Sequence, residues 1–303
     1  MLKTKWIGIV ASATLICSAV LCGCAEKPEN KEPEYPYPNY TINEEYIGTA
    51  RAANDAAYDA SKQEMHESPL KDKVIYWLGS SVTYGSASNG QSMADYLAAL
   101  TGCVSKKDAV SGTTIFDDNK STATGADSYT RRLVNSKVYD KEEHVDAFIC
   151  QISTNDARND RLNKRGEITA ANITESGVFD KATTLGGVEF IISYVTETWG
   201  CPVYFYSGSY FGDEGLRKGS NPKGSEYGKL VDQVKQIADK YNAIDGYEVG
   251  VIDMYNDADF NAKASDNYYS WVMSDAIHPK KAGYLEWWTP YFESYLEYNL
   301  ILT

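Results

Sequence analysis

Three short stretches of the chain carry side chains able to do nucleophilic chemistry: Gly79-Ser80-Ser81-Val82-Thr83, Ser153-Thr154-Asn155-Asp156 and Asp275-Ala276-Ile277-His278-Pro279. A serine hydroxyl attacks a carbonyl carbon only when a neighbouring base takes its proton. Near neutral pH, histidine suits that task. The candidates are His66, His144 and His278. His278 alone sits on a loop with a carboxylate three residues earlier. In a tight turn, Asp275 can accept a hydrogen bond from one ring nitrogen and leave the other to face Ser81, the arrangement of a triad recognised by roles. The charge that develops on the attacked oxygen needs fixed donors. The backbone N–H of Ser81, the backbone N–H of Gly112 and the side-chain amide of Asn155 are the candidates, and a glycine at 112 lets backbone approach a substrate closely.

Taken singly, each stretch also reads as ordinary structure: a turn after a strand, a turn with a helix cap, and a surface Asp–His pair. Their placement among the flanking elements makes the joint pattern informative. Residues 74–78 form a short continuous apolar run ending in Gly79, the signature of a buried strand. Further strands are expected at 104–110 (weaker), 146–152, 202–206 and 247–254. Helices are expected at 43–64, where Tyr46, Ala50, Ala53, Ala57 and Ala60 fall at helical spacing, and at 92–100, 188–198, 226–241 and 280–298. Strands alternating with helices imply right-handed crossovers and a mostly parallel five-stranded sheet in a three-layer α/β/α sandwich. Ligands of such sheets bind at the carboxyl ends of strands, near the point where strand order reverses. Ser81, Gly112 and Asn155 each follow a strand, whereas His144 precedes one and His66 ends the opening helix.

In this order and at these strand ends, the residues resemble the SGNH (GDSL-like) hydrolase family, over the span from Gly79 to His278. The resemblance implies a flavodoxin-like SGNH fold with Ser81 as nucleophile, Gly112 and Asn155 as oxyanion donors, and Asp275 and His278 as acid and base. Ser80 replaces the family's usual Asp and Ser153 its usual Gly, and neither replaced residue makes or breaks bonds. The implied reaction is ester hydrolysis through a covalent acyl-enzyme, with no metal or organic cofactor. A calcium loop at 257–268 is disfavoured, since the sixth position lacks glycine and Tyr268 stands where a twelfth-position Glu belongs.

The N-terminus reads as a targeting segment. Lys3 and Lys5 precede an uncharged apolar run from Trp6 to Leu21, too short for a comfortable membrane span. Leu21-Cys22-Gly23-Cys24 looks like a bacterial lipoprotein processing box. Residues 1–23 are thus expected as signal peptide, with Cys24 lipidated and the protein held outside the cytoplasm on the bacterial cell membrane. Residues 24–42, with Pro28, Pro33, Pro36 and Pro38, read as an acidic, extended tether. Residues 43–303 suffice for one large domain. The formal charge of −13 argues against nucleic acid, whose binding requires phosphate neutralisation. Cys103, Cys150 and Cys201 read as buried small apolar residues and not as a disulfide framework.

For substrate, Tyr210, Phe211 and Trp271 are candidate rim aromatics that can pack on sugar rings, although Tyr204 and Tyr206 alternate within a strand and read as core. Arg161 and Lys164 are candidates for holding an anionic group, although such charges also read as a solvated loop. The leading expectation is removal of acetyl or other short acyl groups from a carbohydrate or cell-wall glycan. The alternatives are a lipase or thioesterase for longer acyl chains, and a glycan-binding protein that has lost catalysis.

Overall fold

The computed structural model describes Ile42 and residues 52–117, 127–170, 173–214 and 222–301. The lipidation candidate Cys24, the signal segment and the tether up to residue 41 lie outside the described residues. Ile42, which the sequence assigns to the tether, is buried with the core. No helix among the described residues is long and apolar enough to cross a membrane.

Five strands form one sheet: β1 (Val74–Gly79), β2 (Val104–Ala109), β3 (Ala147–Gln151), β4 (Val203–Tyr206) and β5 (Val249–Ile252). Their order is β2-β1-β3-β4-β5 and every pairing is parallel, so the sheet is fully and not just mostly parallel. Both faces are covered, so the central strands are apolar throughout and do not alternate. On one face, Tyr76 stacks with Tyr139 and meets the edge of Trp199, the last residue of α4 (Thr184–Trp199). On the other, Trp77 and Tyr206 pack against Phe292 of α8 (Thr289–Ile301). Tyr204 and Tyr206 are both buried, which makes them core. Helices α2 (Met93–Thr101) and α5 (Gly224–Asn242) match the expected amphipathic segments. The helix expected at 280–298 opens as a π-helical stretch, Gly283–Trp288, before α8.

The opening segment differs from expectation. Its described part contains two single 3-10 turns, Ala56–Tyr58 and Ala60–Lys62, instead of one helix. Its polar side chains serve tertiary contacts. Asp55 caps the N–H of Ala57, Asn54 bonds the Ala87 carbonyl and accepts the Lys281 N–H, and Asp59 pairs with Lys281. Such side-chain competition for backbone groups disfavours a helix. Four helices went unanticipated: the single-turn α1 (Ser81–Tyr84), α3 (Tyr129–Asn135), α6 (Ala258–Ala262) and α7 (Asp266–Val272). Cys103, Cys150 and Cys201 are buried free thiols. Burial pushes Cys103 up to about 11 and Cys201 up to about 12, keeping both neutral.

Candidate active site

Strand order reverses between β1 and β3, whose neighbours lie on opposite sides. The crevice beyond their carboxyl ends is where an open parallel sheet binds ligands. Ser81 sits there as the first residue of α1, directly beyond β1. Gly79 must be a glycine because a Cβ would overlap the Thr83 side chain. That close approach turns the chain sharply from strand into α1. Gly85, at φ 84°, ends the helix after one turn, and its N–H bonds back to the Ser81 carbonyl.

His278 reaches Ser81 from the far end of the chain. Its Nε2 lies 2.8 Å from Ser81 Oγ. Its Nδ1 lies 2.8 and 2.9 Å from the two carboxylate oxygens of Asp275. Asp275 Oδ1 also accepts the backbone N–H groups of Ile277 and His278, each at 2.8 Å. Half-burial pushes the Asp275 carboxyl up, but the His278 hydrogen bond and charge and the two backbone donors outweigh it, so its pKa is lowered and it stays ionised. A carboxylate on Nδ1 fixes the tautomer that leaves Nε2 able to accept a proton.

The turn bearing this pair lies ahead of the closing helix. Met273 and Pro279 form an antiparallel bridge, with Ser274 N–H bonding the His278 carbonyl at 2.9 Å and Lys280 N–H the Val272 carbonyl at 2.7 Å. The opening segment clasps the residues just beyond, through Ala282 N–H to the Ala53 carbonyl and Lys281 N–H to Asn54. Of the other histidines, His144 is exposed near Asp146, ahead of β3, and His66 pairs with Glu293 at 2.5 Å.

The donor candidates follow the carboxyl ends of β1, β2 and β3. Gly112 follows β2 with φ +81°, a conformation that favours glycine. Asn155 Nδ2 donates to the carbonyl of Thr113, the residue after Gly112, at 3.0 Å, which leaves its second N–H for a ligand. The N–H groups of Ser81 and Gly112 have no acceptor among the described residues. Ser153, where the family usually has Gly, is used: its hydroxyl accepts Asn155 N–H at 3.2 Å and donates to the Thr113 carbonyl at 3.3 Å. Asp156 is fully buried behind it, accepting N–H from Ile115 and Phe116 and the Thr184 hydroxyl. Burial raises its pKa, and these donors offset part of the rise.

Two positioning residues escaped the sequence reading. Gln151, the last residue of β3, accepts on one oxygen from Ser80 N–H at 2.9 Å, Ser80 Oγ at 3.2 Å and Thr83 Oγ1 at 2.9 Å. Buried Arg132 of α3 donates to the Gly79 carbonyl at 2.7 Å and the Thr113 hydroxyl at 3.3 Å, and pairs with Asp108 of β2. The peptide between Gly79 and Ser80 is therefore held at both ends, its carbonyl by Arg132 and its N–H by Gln151. The only sequence sign of Gln151 was a polar residue ending an apolar strand. Arg132 gave none.

An activatable serine between a carboxylate-held imidazole and free amide donors suits attack on an acyl carbonyl. Comparison with protein families agrees: the description GDSL-like Lipase/Acylhydrolase matches residues 75–288. The chain belongs to this family. As a GDSL-like hydrolase it is an ester-hydrolysing enzyme, and its five-stranded parallel sheet flanked by helices is the SGNH-type α/β fold. Among solved structures, a protein from Lactobacillus plantarum is 20% identical with a TM-score of 0.54, over 76% of this chain and 98% of that one. A carbohydrate acetylesterase family member from Sinorhizobium meliloti is 15% identical with a TM-score of 0.48, over 76% and 100%. A Corynascus thermopiles carbohydrate esterase family 2 enzyme with a carbohydrate binding domain is 13% identical with a TM-score of 0.48, over 80% and 69%. Comparison with curated proteins gives no match.

The rim aromatics divide. Phe211 is buried against Tyr227 and Tyr255 and belongs to the core of this GDSL-like hydrolase, a correction to its expected place on the rim. Its apolar ring gains more from that burial than from water. Tyr210 is 56% exposed, with its ring tilted on Tyr255. Trp271 is half-buried, its ring set against Tyr58 and Tyr268, and its carbonyl accepts Lys280 Nζ at 2.8 Å.

Proposed function

We propose that the enzyme hydrolyses short acyl esters, acetyl foremost, on a carbohydrate or cell-wall glycan through an acyl-enzyme on Ser81. His278 Nε2 takes the Ser81 proton as Oγ attacks the carbonyl. Asp275 stabilises the imidazolium that results, and the N–H groups of Ser81, Gly112 and Asn155 receive the oxyanion. The imidazolium returns its proton to the departing alcohol oxygen. Water, deprotonated by His278, then attacks the acyl carbon, and the imidazolium returns that proton to Ser81 Oγ as the acid leaves. The observation that carries this reading is the chain of contacts from Ser81 Oγ through His278 to Asp275, 2.8 Å at each link.

The short-acyl and glycan part rests on the polarity around the nucleophile. The exposed hydroxyls of Ser86 and Ser111, 2.6 Å apart, flank α1 and Gly112, and Tyr84 of α1 is an exposed aromatic ring. Hydroxyl-rich substrates suit such a rim better than long acyl chains, which need an apolar wall. Acetate release from a panel of acetylated polysaccharides, beside hydrolysis of acetyl and long-chain nitrophenyl esters, tests it. Acetate release with an acetyl preference supports the reading, and a clear long-chain preference overturns it. We further propose that a lipid on Cys24 holds the enzyme outside the cytoplasm on the bacterial cell membrane, where glycan substrates lie.

A further inference from the structure

Directly beyond the Asn155 turn runs a 3-10 segment, Asn159–Lys164. With three residues per turn, side chains at i and i+3 eclipse, so this stretch sorts into three rows. Leu162 and Arg165 form the row facing α5, where Arg165 donates to Gln233 at 2.9 Å and to the Glu226 carbonyl at 3.1 Å. Asp160 and Asn163 form a row exposed to solvent. Arg158, Arg161 and Lys164 form the third, half-buried row.

This third row is cationic. Arg161 Nη1 donates to the backbone carbonyl of Asn155 at 3.3 Å. Arg158 is paired with Asp160 at 3.2 Å, whereas Arg161 and Lys164 form no ion pair among the described residues. By contrast, Lys73, Lys106, Lys107, Arg132 and Lys281 each face a carboxylate. In a chain of net charge −13, carboxylates are plentiful, yet Arg161 gains only a neutral carbonyl and Lys164 no partner among the described residues, so neither charge is balanced. A ligand anion would supply that partner. At about 2 Å rise per residue, the Arg161 and Lys164 backbones stand about 6 Å apart along the row, a spacing for repeated charges and not for one carboxylate.

We propose that Arg161 and Lys164 form an anion-binding track leading to Ser81, and that the substrate is an acylated acidic polysaccharide, one whose sugar units carry carboxylates. The inference rests on the esterase reading above and specifies its substrate class. A local cationic row also offsets the repulsion that an acidic enzyme exerts on an acidic polymer.

The test measures kcat/KM of the full chain on an acetylated polygalacturonate and on an acetylated neutral xylan, and reads their ratio. The ratio cancels any general loss of activity. Wild type should favour the acidic polymer by about tenfold or more at low salt, and the preference should shrink as salt screens the track. Arg161→Gln and Lys164→Gln should each lower the ratio several-fold through KM, and Arg161→Lys should retain most of it. Lys164, which makes no hydrogen bond among the described residues, keeps the test open if Arg161→Gln folds poorly. A wild-type ratio near one, or a ratio indifferent to both substitutions, overturns the inference while nitrophenyl acetate turnover leaves the esterase reading standing. Absence of nitrophenyl acetate turnover overturns both.

Discussion

The side-chain oxygen of Gln151 accepts the backbone N–H of Ser80 at 2.9 Å, tying the end of β3 to the residue before the nucleophile. The same oxygen receives the Thr83 hydroxyl, so one buried amide fixes both sides of Ser81. Gln151→Leu would leave the Ser80 N–H unpaired in the interior, at about 1–3 kcal/mol, while the Thr83 hydroxyl would keep only Tyr206. A drop in Tm and a fall in kcat of about ten- to a hundredfold are expected, with KM changed far less. Gln151→Glu keeps an acceptor and should retain more activity. Thermal melts and nitrophenyl acetate kinetics on the two variants check this.

Asp275→Asn separates orientation from mere presence. If the asparagine oxygen keeps the Ile277 and His278 N–H groups, its amide nitrogen faces His278 Nδ1 and favours the tautomer with the proton on Nε2, which cannot act as base. A loss of about a thousandfold or more in kcat is expected, with little change in KM. Because the Asp275 pKa is lowered in the fold, its stabilising contribution is present above the ordinary carboxyl value of 3.8 and is lost as pH falls through the folded value. The variant should lack that acid-side dependence in a pH series of melts.

The central strands and the three site stretches were legible because their signals are local. Strands covered on both faces show unbroken apolar runs, and the Asp275–His278 pair closes within one turn. β2 read weakly because it is an edge strand whose polar side chains face partners elsewhere: Lys106 meets Glu143, Lys107 meets Asp95, and Asp108 meets Arg132. The opening helix misled because alanine spacing mimics an amphipathic face, while Asn54 and Asp59 serve contacts over two hundred residues away. Helix α3 was hidden because its buried face includes Arg132, a residue that periodicity counts as solvent-facing.

Asp156 gives a pH-dependent stability of opposite sign. Its folded pKa is raised by burial, so its contribution is fully present below the ordinary carboxyl value and is lost as pH rises through the folded value. Asp156→Asn cannot ionise and presents an N–H2 to one set of N–H donors, costing about 1–3 kcal/mol. Urea unfolding of both proteins between about pH 3.5 and pH 7 should show their stability gap narrowing as pH rises. A gap that widens would contradict the raised pKa.

If Cys24 carries the lipid, Cys24→Ala should move the enzyme from the membrane fraction to the soluble fraction with its esterase activity intact. Retention of the variant on membranes would contradict the anchor.

The most direct measurement is covalent labelling with a fluorophosphonate, followed by peptide mass spectrometry. Adduct on Ser81, absent in Ser81→Ala and slowed about a hundredfold or more in His278→Ala, is the expected result. Adduct formation at another residue, or labelling of Ser81 at an unchanged rate without His278, would contradict a nucleophile activated by that imidazole.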